Sequence, residues 1–262
     1  MSETNYPTTP SAGMAGETNA MTTPQTLANI FFEPGRTFEA LRERPRFLVA
    51  ALITLVAFMA FYLAYIQRVG YENIINAEIE TRAQSTEMSD EQKAAGRDIQ
   101  LKPFVKAIRY GVPVIGIAVV LAAGAGIYLL GSMLMGKGIS YKQALAVWTY
   151  SSLPPLVLVV IANLVLLLGN PPTGDAEIAR GLNGLVHANP GILVDGAEQP
   201  VIATALGSLD LFAFYGLFLA ALGLRKVARL SSGSAWAIVL GLWVLGVIAR
   251  VVIASVTGTP MA

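Results

Sequence analysis

The chain has 262 residues, of which 54% are hydrophobic and only 13% charged, and its net charge is +1. An average soluble protein is roughly a quarter charged, so a water-soluble globule of this length lacks the charge to cover its surface. A mean hydropathy of +0.58 makes a bilayer part of the solvent, and the absence of cysteine and of a basic excess excludes a disulfide scaffold and a nucleic-acid binder.

Residues 1–23 are rich in Thr, Ser, Ala, Gly and Pro without periodicity and read as a disordered tail. Residues 24–46 form an amphipathic interfacial segment. Leu27, Ile30 and Phe31 share a helical face, Pro34-Gly35 interrupts it, and Phe38 and Leu41 begin a second face. Arg36, Arg42, Arg44 and Arg46 alternate with Glu39 and Glu43. The expectation is a broken helix at headgroup level, its four arginines contacting lipid phosphates. The alternative is a linker helix packed on the protein itself.

Five stretches are nearly free of charge: about Phe47–Ile66, Gly111–Met135, Gln143–Leu168, Ala205–Leu224 and Ala235–Val256. Each is long enough, at about 1.5 Å per residue, to cross a hydrocarbon core of roughly 30 Å. Only helices or closed barrels satisfy the backbone in lipid, and barrel strands would be about half as long and alternating. The fold class is therefore all-α: a polytopic bundle of five transmembrane helices over residues 47–256, with an interfacial N-terminal helix and an extramembrane helical loop. The first apolar run is too long for a signal peptide and lacks a small-residue cleavage site.

Lys and Arg in the flanks set the orientation. The N-terminal segment, Lys137 with Lys142, and Arg225 with Lys226 and Arg229 share one side, while the loop Gly169–Thr204 carries only Arg180. The expectation is an N-terminus inside and a C-terminus outside. The loop Gln67–Tyr110 disagrees, with seven cations, three of them (Lys102, Lys106, Arg109) at the start of the second span. That loop has helical spacing at Ile74, Ile75 and Ile79, and Ser89 with Gln92 fits a capping box, so it predicts two short helices. Gly169–Thr204 is rich in turn formers and predicts turns, with short strands at Gly191–Val194.

Searches for reactive constellations return little. His187 is the only histidine and sits in a polar loop, which leaves no zinc or iron–sulfur ligand set. No G-x-S-x-G is present, and neither Gly136-Lys137-Gly138 nor Gly124-Ala125-Gly126 has the context of a phosphate-binding or dinucleotide loop. Small residues four apart (Ala122 and Gly126, Gly216 and Ala220, Ala237 and Gly241) suit close helix packing.

The polar residues within the spans carry more information. Asp210 is the only acid and Arg250 the only base inside them. Each would cost roughly 2.5–3.5 kcal/mol at the bilayer centre, so each needs a partner or water. Counted from the span ends, Asp210, Arg250, Asn163 and Arg109 fall within roughly one helical turn of one level. The expectation is a polar layer in which Asp210 pairs with Arg250 or Arg109. It either fixes helix register or lines a water-accessible cavity for an ion or headgroup. In the third span, Tyr150, Ser151 and Ser152 precede Pro154 and Pro155. Paired prolines remove backbone donors and should kink or break the helix, with the serines satisfying freed carbonyls.

Several segments resemble the bacterial branch of the YIP domain family, named for Ypt/Rab-interacting proteins. They are Ile30-Phe31-Phe32-Glu33-Pro34-Gly35-Arg36-Thr37-Phe38, then Tyr141-Lys142-Gln143-Ala144-Leu145-Ala146 leading to Tyr150 and Pro154, then Asp210-Leu211-Phe212 and Gly223-Leu224-Arg225. The likeness covers roughly Ala28 to Val256. It implies a five-span bundle with a cytoplasmic N-terminus and brings no catalytic role to Asp210, Tyr150 or Pro154. The expected protein is a non-enzymatic scaffold of the bacterial inner membrane. It needs no cofactor, and its partners are lipids, other membrane proteins or itself. The alternative is a transporter or channel using the Pro154-Pro155 break and the Asp210 layer.

Overall fold

A computed structural model describes residues 21–86, 88–196 and 198–261. The expected disordered tail lies outside the described residues as far as residue 20. Every regular element described is helical, with no strand among the described residues.

Helix α1 (Thr23–Phe32) opens with a capping box in which Thr22 and Gln25 satisfy each other's backbone N–H groups. It stops at Glu33, and α2 (Pro34–Glu43) starts with proline in its first turn, where a missing N–H costs nothing. The break falls where Pro34-Gly35 places it. The apolar face, however, is used within the protein: Ile30, Phe38 and Leu41 are fully buried in the core of the bundle. Of the two readings of residues 24–46, the packing on the protein itself is what these side chains do.

Helix α3 (Leu48–Val69) is the first span. Helices α4 (Tyr71–Thr86) and α5 (Asp90–Leu101) follow as the expected pair, with the Ser89–Gln92 capping box in place. Ile74, Ile75 and Ile79 join Phe61, Tyr65, Val69 and Leu167 in a second core cluster, so this loop docks on the bundle. Of its seven cations, Lys93 pairs with Glu80 at 2.9 Å, Lys102 with Asp98 at 3.7 Å, and Arg109 with Glu78.

Helix α6 (Pro103–Leu134) has 32 residues, about 48 Å long at 1.5 Å per residue, so its basic first turns can extend beyond the hydrocarbon. Helix α7 (Tyr141–Gly169) is the central element, packed against α3 and α6 and against the fourth span. It runs as one helix through Pro154 and Pro155, so of the kink or break expected at Tyr150, Ser151, Ser152, Pro154 and Pro155, the break is corrected. Both prolines are buried among neighbouring helices, which hold the chain helical there. The Ser151 and Ser152 hydroxyls donate to Trp148 O at 3.0 Å, two and three residues before the Tyr150 and Ser151 carbonyls that the prolines release.

The expected strands at Gly191–Val194 are also corrected. The segment Pro190–Leu193 is a 3-10 turn started by Asn189, whose side chain accepts from Gly191 N. Its Pro and Gly favour a tight turn, and no neighbouring strand exists to pair with it. Around it lie α8 (Asp175–Gly181) and α9 (Pro200–Gly207).

Among the described residues, four helices are long and apolar enough to cross a membrane: α3, α6, α7 and α11 (Ser232–Thr257). A fifth candidate, fourth in chain order, is a pair, α9 and α10 (Leu211–Val227), which passes the same test only together and is bent by 46° at the break. Sequence alone placed an unbroken span at Ala205–Leu224. The structure starts α9 earlier and breaks the crossing just before Leu211.

Candidate functional site

Asp210 sits in that break. Its backbone is extended (φ −85°, ψ 135°), and its Oδ1 accepts from Phe212 N at 2.9 Å and Ala213 N at 3.1 Å. It is the N-cap of α10, not an acid within a continuous helix. A carboxylate in this position satisfies two orphan N–H groups and faces the positive end of the helix dipole. Its Oδ2 accepts from Asn189 Nδ2 at 3.4 Å.

The expected ion pairs are therefore absent. Asp210 spends its oxygens on the helix start and Asn189, and it forms no ion pair with Arg250 or Arg109 among the described residues. Arg109 belongs to another network: Glu78 takes both of its Nη groups and Gln100 Oε1 lies 3.3 Å from Nη1. Tyr62 Oη donates to the Arg109 carbonyl at 3.0 Å, and Tyr71 Oη donates to Gln100 O at 3.0 Å. Burial pushes the Tyr71 phenol up from its ordinary pKa, which keeps it a neutral donor.

The remaining members of the layer gather around one loop. Asn163 is 3% exposed, and its Oδ1 accepts from Leu185 N at 2.6 Å and Val186 N at 2.8 Å. Asp210 and Arg250 line a cavity of about 460 Å³ together with Arg180, Asn183, His187 and Asn189. Arg250 Nε reaches only Gly246 O, on its own helix, at 3.5 Å. His187 is exposed, and its Nδ1 lies 3.0 Å from Leu185 O.

A second cavity, of about 610 Å³, lies at the other end of the bundle, and all four N-terminal arginines line it. There α2 is clamped in place. Lys226 Nζ donates to Glu39 at 2.6 Å, Gln143 Nε2 donates to Arg42 O at 2.7 Å, and Arg42 Nη1 donates to Lys226 O at 3.4 Å. The Lys226 ammonium holds the Glu39 carboxyl below the usual carboxylate range. Gly223 makes room for this docking, since a Cβ there would lie 2.9 Å from the Phe38 ring and 2.8 Å from Val147. Arg36 pairs with Glu33, Arg42 with Glu43, and Arg46 donates to Met21 O at 3.2 Å, while Arg44 is exposed.

This arrangement combines an N-terminal helix pair clamped at the end of α10, a helical loop docked after α3, and a crossing broken at Asp210. The chain matches the Yip1 domain over residues 28–253. It belongs to the Yip1 domain family. No curated protein and no solved structure matches it. Yip1-domain proteins are multi-pass membrane proteins, generally non-enzymatic and concerned with membrane traffic.

Within this Yip1 domain, no group of three or more His, Asp or Glu residues is placed to hold a metal ion among the described residues. Sequence reasoning missed Glu78, Gln100 and Asn189, which are the true partners of Arg109 and Asp210. Glu78 gave no signal, lying three turns from any span. Asp210 did: an acid followed by an apolar helical run is an N-cap pattern. The small-residue pairs divide. Gly216 lies against α7, where a Cβ would be 3.5 Å from Pro155, whereas Gly126 and Gly241 have nothing within 4 Å.

Proposed function

We propose that this Yip1-domain protein is a non-enzymatic organiser of the bacterial inner membrane, working through contacts with lipids and with other membrane proteins or copies of itself. Its N-terminus lies in the cytoplasm and its C-terminus outside. The observation that carries this reading is the clamped α1–α2 pair. Its apolar face is consumed by the core, which leaves a cleft rimmed by Arg36, Arg42, Arg44 and Arg46 as the presented surface. Lys137, Lys142, Arg225 and Arg229 belong to the connections on that same side by the alternation of spans. Cations gathered on one side suit the anionic inner leaflet and the positive-inside rule.

The transport reading has less support. It relied on a helix break at Pro154-Pro155, and α7 is continuous there, with Tyr150 fully buried.

The chain has no cysteine, so an introduced one is a unique label. Arg44→Cys should react with a membrane-impermeant maleimide only after cells are opened, and Thr257→Cys in intact spheroplasts. Replacing Arg36, Arg44 and Arg46 with glutamine should leave the protein in the membrane but reduce its cross-linking to neighbours. Unchanged cross-linking in that variant, or substrate flux in vesicles that depends on Asp210, would overturn the reading.

A further inference from the structure

The cavity at Asp210 lies at the opposite end of the bundle from the arginine cleft and is independent of the reading above. Its charges do not balance internally. Arg180 and Arg250 both line it, and neither forms an ion pair among the described residues. The one carboxylate present, Asp210, is committed to Phe212 N, Ala213 N and Asn189. The Arg250 Nη groups make no hydrogen bond within the described residues, and its Nε bond is at the limit of length.

An unmatched guanidinium on a membrane-crossing helix is costly unless an anion or water meets it. Arg250 lies seven residues before the end of α11 at Thr257, about 10 Å along the axis, within snorkelling reach of the headgroup layer. Exposed apolar side chains adjoin it: Ile253, one turn on along the same face of α11, is 43% exposed, and Ile192, which lines the cavity, is 65% exposed. A ligand here would meet cationic and amide donors inside the cavity and hydrocarbon-facing side chains at its edge. A soluble anion would use only the first of these.

We propose that this cavity seats the phosphate of an anionic phospholipid, with Arg250 and Arg180 as the guanidinium donors and the acyl chains passing Ile192 and lying along Ile253 of α11. A zwitterionic choline headgroup fits less well, because it brings a cation of its own to a cavity already lined by two arginines. The geometry of a guanidinium suits a phosphate's paired oxygens.

The test is a titration of the full-length protein, delipidated in mild detergent, followed by native mass spectrometry. The background carries glutamine at Arg36, Arg44 and Arg46, so that the opposite end keeps only Arg42 of its four arginines. The probes are phosphatidylglycerol, phosphatidylcholine and inorganic phosphate. One phosphatidylglycerol should bind, in preference to phosphatidylcholine. R250Q should weaken that binding about tenfold, the size of one lost charge-assisted contact. R180Q lies on an exposed surface helix and should give a smaller loss, which keeps the test open if R250Q fails to fold. Equal phosphatidylglycerol binding by wild type, R250Q and R180Q would overturn the proposal. So would equal binding of phosphatidylcholine. Competition by inorganic phosphate at the same concentration as the lipid would assign the site to a soluble anion and overturn the lipid.

Discussion

Gly124 of α6 faces Trp148 of α7 so closely that a Cβ on Gly124 would lie 2.1 Å from the indole ring. The indole also packs on Tyr128, with ring centroids 4.8 Å apart. The absent side chain at position 124 is what lets these two spans meet.

Gly124→Ala should therefore destabilise the bundle, although alanine is the better helix former by about 1 kcal/mol in water. Overpacking commonly costs about 1–3 kcal/mol, and here the clash is with a ring wedged between helices. Thermal unfolding in detergent should show a clear loss for Gly124→Ala. Gly126→Ala, with open space around it, serves as the neutral comparison.

Asp210 as a helix cap and Asp210 as an ion-pair partner predict different mutational series. Asparagine caps about as well as aspartate, whereas alanine loses about 0.5–2 kcal/mol. Asp210→Asn should be close to neutral in unfolding midpoint and Asp210→Ala destabilising. Equal losses for the two would contradict the capping role.

The Glu78–Arg109 pair is about three-quarters buried on each side and ties α4 to the base of α6. Glu78→Ala leaves the guanidinium facing only Gln100 and should cost about 1–3 kcal/mol. Hydrogen exchange over residues 71–101 should speed up in this variant while α10 and α11 keep their protection.

Glu39 ionises more readily when docked than in the unfolded chain, chiefly because Lys226 donates to it. A carboxylate with a depressed folded pKa contributes stability above its ordinary pKa, and that contribution disappears as pH falls through the folded value. Both side chains are partly exposed, so the contribution should stay below about 1 kcal/mol. Protease cleavage between α2 and α3 should become easier on acidification from neutral pH to below pH 4.5, and Lys226→Met should remove that pH dependence.

The sequence carried the crossings because long uncharged runs have one solution in lipid, and α3, α6, α7 and α11 appear where those runs lie. It also carried the local punctuation: Pro34-Gly35 and Ser89–Gln92 act through neighbours three or four residues away. Contacts across distance were hidden. Nothing near Arg109 names Glu78 as its partner, and nothing near Ile30 or Phe38 distinguishes burial in lipid headgroups from burial against α7 and α10. Asp210 was misplaced because hydropathy averages over a window and smooths away a cap that a residue-by-residue reading reveals.

The bend before α10 bears on how the chain is made. Helix α9 has 8 residues and α10 has 17, roughly 12 Å and 26 Å, so α9 alone is far too short to cross and α10 alone falls short of a hydrocarbon core of roughly 30 Å. Met261 N donates to Thr204 Oγ1 at 2.8 Å, fastening α9 to the segment that follows α11. The fourth crossing thus reaches its final form only after the ribosome has finished the fifth, and late truncation would strand α9 without its anchor.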